Sequence, residues 1–272
     1  MCTHYVTPEQ RALEAAWANL GAHPFEHLEY EQHLYPASVG PVIKYDRPKG
    51  LKEMAIGQFG LVPDWVKSGE FKKYAKNTYN ARTETVHEKP SFKMSWKDQN
   101  FCIIPAQAIY EPCYDVEYIK SLDPEYASRP GVFGEIEVIQ REGQEDYLKA
   151  SKSVPIKISR LDGKIMWIAG ICWSYKNRET GEYKETYSML TINADDHEMF
   201  KHFHKYGDER RIVVMLKDED IEGWLAASHD EARTYFCQYP AELLKAEVSP
   251  IPPKKKKTDI PAEPADDQLF GI

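Results

Sequence analysis

Apolar positions along the chain change period several times, and each change marks a predicted element. Leu13, Ala16, Trp17 and Leu20 recur three and four apart, the spacing of one helix face. Ahead of them Thr7-Pro8-Glu9-Gln10 has the order of a cap, a first-turn proline and a capping box, and Gly21 is placed to end the helix. Residues 22–40 are rich in histidine, tyrosine and proline without a clean period, which predicts an irregular stretch. Residues 41–45 and 53–61 predict two strands, and the Asp46-Arg47-Pro48-Lys49-Gly50 turn between them predicts a hairpin. Further strands are predicted over 101–105, 109–112, 155–160, 165–172, 186–192 and 212–216. Residues 165–171 are mostly apolar, as in a strand at the centre of a sheet. Asp195 with Glu198 three residues on predicts a helix start, leading through Met199, Phe200 and Phe203 to His204 near its end. Two more helices are predicted over 218–227, with Ile221, Trp224 and Leu225 on one face, and over 230–239.

At 272 residues the chain is long for one domain, yet one domain with an insertion and a tail accounts for it. The expected domain covers 1–247. Residues 115–150 are acidic with prolines and glycines and read as a surface insertion, while 248–272 shift to proline, lysine and acid and read as a disordered tail. That tail ends in Gln268-Leu269-Phe270-Gly271-Ile272, and its Leu-Phe pair near a glutamine resembles sliding-clamp-binding peptides, so a clamp is a candidate partner. The net charge of −8 excludes nucleic-acid binding by bulk charge. Between residues 67 and 97, however, eight basic residues face three acidic ones, a local +5 that is either a solvated face or a nucleic-acid surface. Five cysteines with no C-x-x-C spacing suggest neither a disulfide framework nor a zinc site, and no cofactor or metal is expected. With no leader and no run of about 18 apolar residues, the expectation is a soluble cytoplasmic protein without membrane contact.

The candidate chemistry begins at Cys2. Removal of Met1 would leave Cys2 with a free α-amine and a thiol on adjacent carbons, a 1,2-aminothiol that no internal residue can supply. Such an amine, with a pKa of about 7.7 to 8.0, can form an imine with an aldehyde, and the neighbouring thiol can then close a thiazolidine ring. A retained Met1 would instead hold that nitrogen as an amide. Trp65, after the Pro63 turn, is either core or a stacking platform for a base. Asn80 and Arg82 belong to a surface loop or serve a reacting group and a phosphate. Glu111, between an aromatic and a proline, is an outward-facing edge carboxylate or a desolvated general acid–base. His204 stands at a predicted helix end beside a glycine turn.

Four separated pieces carry a resemblance: Met1-Cys2; Gly60-Leu61-Val62-Pro63-Asp64-Trp65 with Asn80-Ala81-Arg82-Thr83-Glu84-Thr85; Ile104-Pro105 up to Tyr110-Glu111; and Thr191-Ile192-Asn193-Ala194 through His204 to Arg211-Ile212-Val213-Val214. In this order, over residues 2 to about 217, the chain resembles the SOS-response-associated peptidase (SRAP) family. The resemblance implies a single α+β domain with a curved, partly barrel-like, mixed or antiparallel sheet surrounded by helices. It further implies a basic cleft for single-stranded DNA and a thiazolidine between Cys2 and the aldehyde of a ring-opened abasic site. It assigns Cys2 as double nucleophile, Asn80 to the amine and forming ring, Glu111 to proton transfer and His204 to the sugar oxygen. Arg82, Trp65, Pro63 and Arg211 would contact or support the DNA, and the protein would associate with the nucleoid when bound. Thr3 and His4 stand where the family usually has Gly-Arg, Pro112 where a tryptophan commonly follows the glutamate, and residues 205–210 lengthen the link after the histidine, which leaves His202 as an alternative to His204. Two other readings remain open: a thiol autopeptidase using Cys2, Glu111 and His204, and a non-catalytic single-strand binder.

Overall fold

The computed structural model of the protein describes residues 2–20, 28–141 and 145–249. Among them the strands in chain order are β1 (His4–Val6), β2 (His33–Leu34), β3 (Val39–Asp46), β4 (Leu51–Phe59), β5 (Asn80–Arg82), β6 (Phe101–Ala106), β7 (Ala108–Asp115), β8 (Ile136–Ile139), β9 (Tyr147–Arg160), β10 (Met166–Lys176), β11 (Tyr183–Asn193), β12 (Arg211–Val213), β13 (Met215–Leu216) and β14 (Leu244–Val248). Seven short α-helices fill connections: α1 (Gln10–Asn19), α2 (Phe71–Ala75), α3 (Lys93–Lys97), α4 (Val116–Leu122), α5 (Pro124–Ala127), α6 (Ile221–Ala226) and α7 (His229–Thr234).

Five strands close into a barrel. β11 runs parallel to β4, and the ring continues through antiparallel pairs β4–β3, β3–β6, β6–β10 and β10–β11. The fold is therefore α+β around a mixed, closed sheet. The predicted hairpin is β3–β4, with Asp46 opposite Leu51 and Gly50 at φ +67° in its turn. β10 is paired on both edges, which is why its apolar run reads as continuous rather than alternating; Ile168, Ala169 and Ile171 are fully buried.

A second sheet, in the order β14-β9-β7-β1-β2 with β8 against the far end of β9, carries the N-terminus. β6 passes into β7 through Gln107 alone, so one bent strand serves both sheets, and the Gln107 amide donates to the Val6 carbonyl at 2.7 Å. β1 lies between β7 and β2, pairing His4 with Tyr110 and Tyr5 with Leu34. The Tyr5 hydroxyl meets that of Tyr187 on β11 at 2.6 Å, and Phe59 packs edge-on to the Tyr5 ring at 5.3 Å. These contacts bind the first strand to the barrel wall.

Several predicted elements take other forms. Thr7 does not cap α1: its hydroxyl donates to the Glu31 and Gln32 carbonyls, and the helix starts at Gln10 with no side-chain cap. The predicted helix ending at His204 is only a 3-10 turn, Phe200–His202. There the buried His197 ring accepts the Met199 and Phe200 amides at Nδ1, bonds that in a helix would go to backbone carbonyls. The predicted strand over 212–216 splits at Val214, whose amide turns to Leu190 while its carbonyl accepts from Ala169, so β12 follows β11 and β13 follows β10. The last predicted helix stops at Thr234, opening on a Ser228–Glu231 capping box. Residues 115–150 are more than a surface insertion: Val116 and Ile119 of α4 are fully buried, and β8 extends the second sheet along β9. β14 runs to Val248, and the Ser249 amide still bonds to Pro155. The clamp-like Gln268, Leu269 and Phe270 lie outside the described residues.

Candidate functional site

β1 pairs with β7 antiparallel with His4 opposite Tyr110, so Cys2, just ahead of β1, and Glu111, within β7, come together where that pairing ends. Cys2 is 1 % exposed, and its thiol lies 3.5 Å from the His4 carbonyl. Asn80 comes from the other sheet. β5 runs parallel to β11, pairing Asn80 with Met189 and Arg82 with Thr191, and alternation buries Ala81 while Asn80 and Arg82 share the opposite face. The Asn80 amide donates to the Cys2 carbonyl at 2.9 Å, and its own buried Oδ1 has no hydrogen-bond partner. That orphaned acceptor is suited to an N–H donor arriving beside Cys2.

Glu111 is 2 % exposed, and burial raises its carboxyl to about 7. His204 Nε2 lies 3.3 Å from Glu111 Oε2. Burial, then the positive charge at the chain's start and Arg210, lowers His204 to about 4. At neutral pH the imidazole is therefore neutral, and the carboxyl holds its proton far more readily than an exposed carboxylate. Burial also pushes the Cys2 thiol well up, with the Glu111 charge adding to it. The strand end holds His204: its amide donates to the Pro112 carbonyl at 2.8 Å, and Cys113 bridges Phe203 and His204. His204 sits at φ +63°, a strained conformation for a non-glycine residue. His202 faces elsewhere, pairing with Asp115 at 2.8 Å and stacking on Tyr118 at 4.2 Å. Of the two histidines it is thus His204 that meets Glu111.

The remaining sequence-predicted residues separate. Trp65 is 56 % exposed, touching Tyr74 edge-on at 5.3 Å, so it is not core. It is held out by its neighbours: Asp64 Oδ1 accepts from Trp173 Nε1 and from the Lys176 amide, each at 3.0 Å. Gly60 makes that turn possible, since at φ +125° a Cβ would lie 2.0 Å from the Ala75 carbonyl oxygen. Pro63 is buried and forms the turn rather than a surface. All eight basic residues between 67 and 97 are exposed. Arg82 is among them and pairs with Glu209 at 2.9 Å. Arg211 departs from the expected DNA contact: it is 2 % exposed, and its guanidinium is taken up by Thr191, Glu84 and Glu209. A cavity of about 470 Å³ bordered by Ala16, Leu20, Trp167 and Ile221 contains none of these residues.

A family model described as SOS response associated peptidase (SRAP) matches residues 1–253. The chain belongs to the SRAP family. Among relatives of this SRAP chain, the abasic site processing protein YoqW of Bacillus subtilis (strain 168) is 27 % identical over 192 residues, 70 % of this chain and 66 % of YoqW. The abasic site processing protein HMCES of Gallus gallus is 24 % identical over 202 residues, 70 % of this chain and 52 % of HMCES. The match thus spans about half to two thirds of these relatives' length. A crystal structure of a Bordetella bronchiseptica protein superposes with a TM-score of 0.70 at 31 % identity, covering 92 % of this chain and 100 % of that one.

The candidate site also has neighbours that sequence reasoning missed. Tyr79, half-buried and next to Asn80, has its hydroxyl raised by burial and then by the charges of Cys2 and Glu111. His4 is sandwiched between Tyr35 at 4.3 Å and Tyr110 at 4.4 Å and meets His33 at 2.9 Å. The sequence signals were adjacency to Asn80 for Tyr79 and, for His4, its place with Thr3 where the family usually has Gly-Arg. For Glu209 there was none, because its partners Arg82 and Arg211 meet it only through β11 and β12.

Proposed function

We propose that this protein processes abasic sites in DNA, joining itself to the ring-opened sugar aldehyde in single-stranded DNA through Cys2 once Met1 is removed. The observation that carries the reading is the buried Glu111–His204 pair beside Cys2, its proton affinities driven apart by burial. The names of YoqW and HMCES supply the substrate class. The unit that acts is the domain of residues 1–247 without Met1, with the exposed basic residues between 67 and 97 drawing in the strand and Trp65 offering a base-stacking face.

The Cys2 amine adds to the C1′ aldehyde, and the nitrogen's proton passes to oxygen to give a carbinolamine. Protonated Glu111 donates to the hydroxyl, which leaves as water, and an iminium forms. The thiol then adds to the iminium carbon while its proton returns to Glu111, closing the thiazolidine with net loss of one water. Asn80 holds the Cys2 backbone during both additions, and its free Oδ1 suits the amine N–H. Neutral His204 suits an acceptor role at the sugar oxygen. The raised thiol speaks against the thiol-peptidase reading, since hydrolysis by cysteine needs a thiolate at neutral pH. In the thiazolidine sequence the amine reacts first, and a carboxylate at hand can take the thiol proton.

Intact mass before and after incubation with a single-stranded oligonucleotide carrying one abasic site tests this. Protein lacking Met1 is expected to gain the oligonucleotide mass less one water, and Cys2→Ala to gain nothing. Protein wholly free of Met1 that forms no adduct would sink the reading. Salt-sensitive binding that survives Cys2→Ala, with no adduct in either protein, would establish a plain single-strand binder instead.

A further inference from the structure

Arg82 is the cation best placed on the site face to hold a backbone phosphate, since it shares that face with Asn80 and half its side chain is exposed. In the free protein it already has an anion. Glu209 Oε2 lies 2.9 Å from Arg82 Nη1, and the other oxygen of the same carboxylate is bonded to Arg211. Arg211 is held a second time by Glu84 at 2.7 Å. Two guanidinium groups thus face two carboxylates, and the cluster is neutral before any DNA arrives.

We propose that Glu209 competes with the DNA backbone for Arg82: its carboxylate must leave that guanidinium before a phosphodiester can be held there. The inference rests on the reading above that Arg82 meets DNA. A phosphodiester entering the neutral cluster would bring it to −1, with two anions crowded on one guanidinium. Displacing Glu209 leaves Arg82 free to pair with the phosphate, so the cost of repulsion is avoided. The exchange is feasible because the two acids are held differently. Glu84 and the Thr191 hydroxyl and carbonyl still satisfy the buried Arg211 after Glu209 departs, so no guanidinium is stranded. Glu209 is partly exposed and belongs to the stretch 205–210, where Gly207 at φ +86° makes a turn. Glu209 would therefore set the affinity for single strands, favouring backbones that bring a phosphate close enough to exchange with it.

Fluorescence anisotropy with a labelled, undamaged oligodeoxythymidylate, at low and moderate salt, tests the proposal on the full chain. Glu209→Gln is expected to tighten binding about three- to tenfold at low salt, with the gain shrinking as salt rises. Glu209→Asp keeps the charge but shortens the reach and should tighten it less. Glu88→Gln removes one negative charge from the basic segment 67–97, where Glu88 pairs with His87 rather than Arg82, and should change affinity less than twofold. In an Arg82→Gln background the gain from Glu209→Gln should disappear. Thermal melting of each variant confirms a folded protein. A gain no larger than that of Glu88→Gln, or one that persists with Arg82→Gln, overturns the competition. Arg82→Gln that binds as tightly as the native chain overturns the reading of Arg82 itself, and the competitor role falls with it; weaker binding by Arg82→Gln together with no gain from Glu209→Gln overturns only the competitor role.

Discussion

Separating Glu111 from His204 by mutation should reveal two opposed pH dependences that cancel in the native protein. Burial raises Glu111 from 4.5 to about 7, so across that window the folded state keeps a proton the unfolded chain has lost. Stability from this group is fully present below pH 4.5 and falls as pH rises, by about 1.4 kcal/mol per pH unit and about 3 kcal/mol in all. Burial lowers His204 from 6.5 to about 4, so between those values the unfolded chain holds a proton the folded one has shed. Stability from His204 therefore rises with pH over nearly the same range, by about 3 kcal/mol. The two groups are 3.3 Å apart, each is shifted chiefly by its own burial, and their slopes offset one another between about pH 4.5 and 6.5. His204→Gln should leave Glu111 alone, giving a protein that loses about 3 kcal/mol between pH 4.5 and 7.5. Glu111→Gln should leave His204 alone, giving one that gains a similar amount between pH 4 and 6.5. Urea unfolding followed by tryptophan fluorescence at four pH values reads both slopes. If the two variants slope in the same direction, burial is not what drives these groups apart, and the assignment of Glu111 as the protonated donor near pH 7 fails too.

The other expectations are simpler. Asn80→Ala removes one hydrogen bond to the Cys2 carbonyl, so unfolding should cost about 1 kcal/mol less, while single-turnover adduct formation slows more than tenfold because the aminothiol is no longer held. Trp65→Ala should weaken anisotropy-measured binding of undamaged single strands by about 1–3 kcal/mol, yet shift the melting temperature little, since Trp65 is 56 % exposed and among the described residues its ring contact is Tyr74. Gly60→Ala places a methyl against the Ala75 carbonyl at positive φ and should destabilise the fold by about 3 kcal/mol or more in urea titration. The rate of adduct formation should fall as pH rises well above 8, where the Cys2 amine gains no further free base and Glu111 has lost the proton it gives to the leaving hydroxyl.

Local pattern was enough for elements whose signal lies within a few residues. The β3–β4 hairpin, the buried run of β10 and the apolar strands leading to Glu111 are legible because alternation, turn residues and unbroken apolar runs act over a single strand. The aminothiol at Cys2 needs no fold at all, only the removal of Met1. Where the sequence misled, a distant group had taken a local bond: Gln32 took the Thr7 hydroxyl, the His197 ring took the amides of the predicted helix, and Thr191 with two glutamates took Arg211 from the surface. The identity of the candidate acid and base was written in the chain, but their protonation was not. Whether Glu111 is an edge carboxylate or a poised acid depends on desolvation, which arises only when β1, β5, β7 and the bridge at His204 converge from separate parts of the chain. Tertiary structure likewise set His204, and not His202, against Glu111 and gave Arg82 its anion, because which charges meet is decided by pairing between segments far apart in the chain.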